Sequence, residues 1–173
     1  MRILICLLLA TFFFFPCSTV DAHTSKAFIP VRIEIPQIKL KAAVEPVPVL
    51  ANGQMGVPTS FEKVGVLMPW TNPGEPGNAV IAGHFDHYTG PAVFYHLRKL
   101  KRGDKIFLYN RKNDKLVFIV KDVESFMTKK APLKRIFGPS STAQLNLITC
   151  SGKFNKKTHE HAQRLVVFAE ISP

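Results

Sequence analysis

The sequence predicts an all-β fold, a sandwich or a closed barrel, on three observations. Short apolar runs recur along the chain, turn-forming residues separate them, and helical spacing is confined to two brief stretches. A closed barrel would also leave no strand edge exposed. The first strand is expected at Val31-Arg32-Ile33-Glu34-Ile35, where apolar and charged residues alternate with period two, and Pro36 ends it. Ile38 to Ala42 alternates again. Val44 to Leu50 carries Pro46 and Pro48, so a strand there belongs at an edge. Asn52-Gly53 marks a turn, Gly65 to Met68 is a short apolar run, and Trp70 to Gly77, with Pro73-Gly74 and Pro76-Gly77, is a loop. Asn78 to Gly83 reads as a buried strand that delivers His84 at its end. Val93 to Leu100 has helical spacing, with Phe94, Leu97 and Leu100 on one side, and predicts one or two turns ending before Gly103.

Lys105–Tyr109 and Leu116–Val120 are expected as strands joined by a turn at Asn113-Asp114, with a continuation at Val123 to Met127. Thr128 to Thr142 reads as a long loop with a helical turn near Leu133 to Phe137. Leu145 to Cys150 is a short buried strand ending on the cysteine and turning at Gly152. Ser151 to Gln163 reads as a polar loop, and Arg164 to Glu170 closes the fold.

The 173 residues suffice for one domain with a real core. Met1-Arg2 followed by the apolar run Ile3 to Phe15 has the form of an export signal, too short for a comfortable membrane span. Val20-Asp21-Ala22 offers a cleavage site, and an uncleaved signal anchor is the alternative. Residues 1–22 are therefore assigned to export, 23–30 to a linker and 31–173 to the folded domain. Phe15-Pro16 before Cys17 is a poor match to a lipid-attachment site. The folded part is expected outside the cytoplasm. The net charge of +11 fits a lysine-rich surface or an anionic envelope; with no arginine-rich helix and no zinc-finger spacing, nucleic acid is not expected.

Outside the export segment, Cys150 is the only cysteine. A lone thiol in an exported domain is informative, because such domains usually pair their cysteines. A thiol attacks as its thiolate, which a neighbouring cation favours, while a histidine can hand a proton to a leaving amine. The candidate partners are His84, His87, His96, His159, His161 and the arginines. His84 ends an apolar strand much as Cys150 does. Arg164 opens the last strand and would sit near Cys150 if the last two strands pair; a guanidinium there can stabilise an oxyanion. His159 and His161 flank Glu160 without a third ligand at a known spacing, so a solvated loop is expected there. Lys129-Lys130 and Lys156-Lys157 read as solvated loop charges.

Three segments together resemble the sortases, the cysteine transpeptidases of Gram-positive cell surfaces. Leu147 to Cys150 resembles the family's Leu-x-Thr-Cys signature, Asn78 to His84 the strand carrying its histidine, and Arg164 to Val167 the start of the strand carrying its arginine. The likeness runs from about Val31 to the C-terminus. Gly90 to Phe94, with Leu97, Leu100 and Gly103-Asp104, is most similar to class F, with classes D and E the alternatives. The resemblance implies a closed eight-stranded barrel with one or two short helices. Cys150 would attack the Thr–Gly bond of a Leu-Pro-x-Thr-Gly-like sorting signal on a secreted protein and form a thioester. His84 would protonate the leaving amine, Arg164 would hold substrate and oxyanion, and Thr149 would assist substrate binding. An amine such as that of a peptidoglycan precursor would accept the acyl group at the membrane or cell wall. No cofactor is implied, and Lys129 and Lys130 argue against a metal site in the loop beside them. Two rival readings are an exported cysteine transpeptidase acting on peptidoglycan stem peptides and a non-catalytic basic barrel binding anionic envelope polymer.

Overall fold

The computed structural model describes residues 27–172; the export segment expected at 1–22 and the start of the linker lie outside them. Strand β1 (Arg32–Ile35) alternates as its sequence requires, with Ile33 and Ile35 fully buried. Pro36 opens a single 3-10 turn, and the chain reverses at Lys39, whose φ of 52° lies in the left-handed region. Strand β2 (Leu40–Val47) pairs antiparallel with β1 through Ala43 and then parallel with β3 (Val64–Leu67) from Val44 onward. Pro46 is tolerated because the β1 ladder has already ended where it sits, so only one side of the strand needs its hydrogen bonds.

Strand β4 (Gly77–Gly83) is followed by a small hairpin of β5 (Asp86–His87) and β6 (Gly90–Pro91). The stretch expected to be helical makes only one 3-10 turn, Leu97–Lys99. Its apolar side is as expected: Phe94 and Leu97 are fully buried and Leu100 nearly so. Strands β7 (Lys105–Tyr109) and β8 (Lys115–Met127) follow, then a 3-10 turn (Thr128–Lys130), helix α1 (Leu133–Phe137), β9 (Ala143–Asn155) and β10 (Glu160–Ile171). Eight strands close a barrel in the order β1-β2-β3-β4-β9-β10-β8-β7.

The barrel interior is filled by Ile33, Ile35, Val66, Ile81, Phe94, Phe118, Leu145, Leu147 and Val167, among others. A second, smaller cluster lies outside the wall, where Ile136 of α1 covers Val166 and Phe168. That cover explains the unbroken apolar run Leu165 to Ala169: both faces of β10 are buried there. Among the described residues no helix is long and apolar enough to cross a membrane.

Candidate active site

Cys150 is not at a strand end. Strand β9 continues through it to Asn155, and β10 begins at Glu160, so the segment expected as a polar loop is a β-hairpin turning at residues 156–159. Its sequence hid this because most of it projects beyond the barrel mouth, exposed on both faces, and needs no apolar alternation. The glycine signal was real but marks a bulge. Gly152 has φ +75°, and the β9–β10 register shifts between His161 and Gln163.

Past the bulge, Arg164 is the direct cross-strand partner of Cys150. Directly opposed residues put their side chains on the same face of a sheet, with Cβ atoms about 4.5–5.5 Å apart. That face is the outer one, since Leu147, Leu165 and Val167 of the same strands fill the interior. On the other side of β9, β4 runs parallel, with Ala82 beside Ile148. Extending this register sets Gly83 beside Thr149 and His84 beside Cys150. The interior hydrogen bond from Thr149 Oγ1 to Gly83 O, at 2.8 Å, carries the contact beyond the end of the ladder. Arg164 thus lies directly across from Cys150 on β10, and His84 follows the end of β4, the strand on the other side of β9.

Gly83 must be glycine for this approach. A Cβ there would lie 2.6 Å from the Phe94 ring, and Phe94 is fully buried. Thr149 is 2% exposed and lies beneath the site, so it meets the reacting face only through Gly83.

Arg164 is held by neutral oxygens. Its Nη1 donates to Thr128 Oγ1 at 3.1 Å, His161 O at 3.1 Å and Gln163 O at 3.0 Å. Among the described residues no carboxylate neutralises it, so its field acts on the thiol. Burial pushes the half-buried Cys150 thiol above its ordinary value. The Arg164 guanidinium pulls it back, while the Asp86 and Glu160 carboxylates push in the same direction as burial. The net effect of these surroundings favours the thiol over the thiolate.

His84 Nε2 donates to Pro58 O at 3.2 Å, since a carbonyl can only accept. Its ring leans on Phe61 at 4.7 Å, and His87 stacks on Phe61 at 4.8 Å. Phe61 carried no signal in the sequence, where it is one aromatic residue in a polar loop. His96 is exposed beside the 3-10 turn, and His159 sits at the hairpin turn with φ 54°. His161 departs from its expected solvated loop: it is 9% exposed and its Nε2 faces Asp86 Oδ1 at 3.0 Å.

The outer face next to Cys150 and Arg164 is apolar. Ile148 and Val166 form the next outward pair, with Phe126, Ala131 and Phe137 packed around them and Ile136 above. Val166 itself is fully buried under this cover, so an extended peptide beside the sulfur would meet only the partly exposed members of the cluster, Ile148 and Phe126 among them. The cavity of about 410 Å³ between α1 and β9 lies farther along, lined by Asn78, Lys134, Ser140 and Asn146. Cys150 does not line it.

The sequence matches the sortase domain family over residues 33–172. No match was found among curated proteins. Among solved structures, sortase C-1 from Actinomyces oris aligns with a TM-score of 0.66 at 25% identity, covering 84% of this chain and 74% of that one. Sortase A from Corynebacterium diphtheriae aligns at 0.66 and 20% identity, covering 87% and 63%. Sortase C1 of Streptococcus agalactiae, solved as a complex with MTSET, aligns at 0.64 and 20% identity, covering 86% and 71%. With a family match across nearly the whole barrel, the chain belongs to the sortases, the cysteine transpeptidases that act on sorting signals.

Proposed function

We propose that this sortase cleaves a Leu-Pro-x-Thr-Gly-like sorting signal between Thr and Gly and transfers the protein to a cell-wall amine. The observation that carries the reading is the Cys150–Arg164 register pair, with His84 just past the end of β4, the strand that pairs with β9 on its other side. In the reactive form Cys150 is the thiolate and His84 the imidazolium. The thiolate adds to the threonine carbonyl, and Arg164, charged at every working pH, stabilises the oxyanion. His84 gives its proton to the departing glycine nitrogen as the C–N bond breaks, leaving a thioester on Cys150. An incoming amine, such as that of a peptidoglycan precursor, loses a proton to His84, adds to the thioester and expels the sulfur. Thr149 supports the site from beneath rather than by touching substrate. The partly exposed Ile148 and Phe126 beside the site suit the hydrophobic start of the signal.

An exported, membrane- or wall-associated enzyme fits both the family and the apolar segment expected at residues 1–22. Class F is proposed on Gly90 to Phe94 with Leu97 and Leu100. A fluorescent Leu-Pro-x-Thr-Gly peptide offered beside a muropeptide stem tests the substrate class: cleavage of the first alone is expected, and cleavage of the stem alone overturns the proposal.

The raised thiol gives a second expectation. The rate of Cys150 modification by a methanethiosulfonate reagent should climb with pH to a midpoint above the ordinary thiol value of about 8.5. Arg164→Ala removes a cation that favours the thiolate, so the midpoint should move further up. A midpoint that falls in this variant would contradict the assigned electrostatics.

A further inference from the structure

We infer that Asp86 and His161 form a clamp that positions the three reacting side chains, both acting as positioning residues for the reaction proposed above, on which the inference rests. His161 Nε2 lies 3.0 Å from Asp86 Oδ1, and Nδ1 lies 3.2 Å from Gly152 O. A carboxylate and a carbonyl both accept, so the ring satisfies both contacts when each nitrogen carries a proton. The side chain is shielded, with Phe85 edge-on at 5.5 Å and Phe154 tilted against it at 5.1 Å. The Asp86 side chain is 40% exposed, so the contact is sheltered at its His161 end and open to water at the other.

The reason for assigning this pair to the reaction is where its ends are anchored. Asp86 is two residues beyond His84, Gly152 is two beyond Cys150, and His161 is three before Arg164. The His161 carbonyl also accepts from Arg164 Nη1 at 3.1 Å and from Thr128 Oγ1 at 3.2 Å. One residue therefore joins all three arms of the site. It does so where regular pairing fails: the β4–β9 ladder stops at Ala82 and Ile148, and the β9–β10 register slips between His161 and Gln163. The clamp has an electrostatic consequence too. The Asp86 carboxylate by itself disfavours the Cys150 thiolate, and the hydrogen bond it accepts from His161 Nε2 draws on the same oxygen charge.

The test is steady-state cleavage of the sorting peptide by Asp86→Ala, His161→Ala, the double variant, Asp86→Asn, and Cys150→Ala as control. Each single alanine change is expected to lower kcat about ten- to a hundredfold with KM within about twofold. The double variant should lose no more than about threefold beyond the worse single, because both break one contact. Asp86→Asn keeps an acceptor for His161 and should return kcat to within about threefold of the parent. Thermal midpoints within about 3 °C of the parent, with Cys150 alkylation no slower in Asp86→Ala, would separate misplacement from unfolding. Retention of more than half the parent kcat in both single variants, or losses that multiply in the double, overturns the clamp. Turnover surviving in Cys150→Ala overturns the transpeptidase reading itself and the clamp with it, so the two failures are told apart.

Discussion

Cys150→Ala is expected to abolish turnover of a sorting peptide, a loss of at least about 10⁴-fold, while leaving the barrel intact. No neighbouring hydroxyl can take over. Thr149 Oγ1 is buried and committed to Gly83 O, and Ser151 Oγ is buried without a partner on the inward-facing side. Cys150 itself is only half-buried and makes no hydrogen bond among the described residues, so the shorter side chain leaves β9 paired on both sides. Peptide cleavage beside a circular-dichroism melt checks both halves. An alanine variant that folds and still cleaves would remove the sulfur from the chemistry.

His84→Ala carries the second large effect, expected at about 10²–10⁴-fold in kcat. An amide nitrogen leaves as an unstable anion unless it is protonated, and the other imidazoles near the site are engaged elsewhere. His161 is occupied at both ring nitrogens, and His87 is stacked on Phe61. The role of His84 can be isolated by changing the leaving group. With an activated ester in place of the Thr–Gly amide the departing group needs no proton, and the gap between variant and parent should shrink to within about tenfold. An undiminished gap would place His84 in substrate binding instead. The ring must also leave Pro58 O to reach the leaving nitrogen, so the loop carrying Pro58 and Phe61, which packs against His84, has to release it.

Where strands are half-buried, the sequence is direct: Ile33 and Ile35 point inward and Arg32 and Glu34 outward, as their alternation requires. The continuous apolar runs at Ala79–Ile81 and Leu165–Ala169 mark strands covered on both faces. The two strands on either side of the hairpin were therefore visible, while the pairing that sets Arg164 opposite Cys150 was legible only as a condition on those strands being neighbours. The hairpin beyond Cys150 was not, because a ribbon outside the barrel is held by backbone hydrogen bonds that leave no side-chain pattern. His161 was hidden for a related reason. Its burial comes from Phe85, Phe154 and Asp86, which meet it across long stretches of chain, and nothing in the local sequence Thr158 to Gln163 records that meeting. Helical spacing at Val93 to Leu100 correctly gave the buried face but overstated the helix, because Phe94, Leu97 and Leu100 reach the core from a single 3-10 turn and its flanks.

The central claim is that one sulfur, flanked by an imidazole and a guanidinium from adjoining strands, takes an acyl group from a threonine carbonyl. Intact-protein mass spectrometry after brief exposure to a Leu-Pro-x-Thr-Gly peptide, without added amine, reads that event. The account predicts an adduct equal to the peptide through its threonine, less water, mapped to Cys150 and discharged when an amine is supplied. Cleaved peptide with no adduct on Cys150 at any time, or an adduct on another residue, would contradict it.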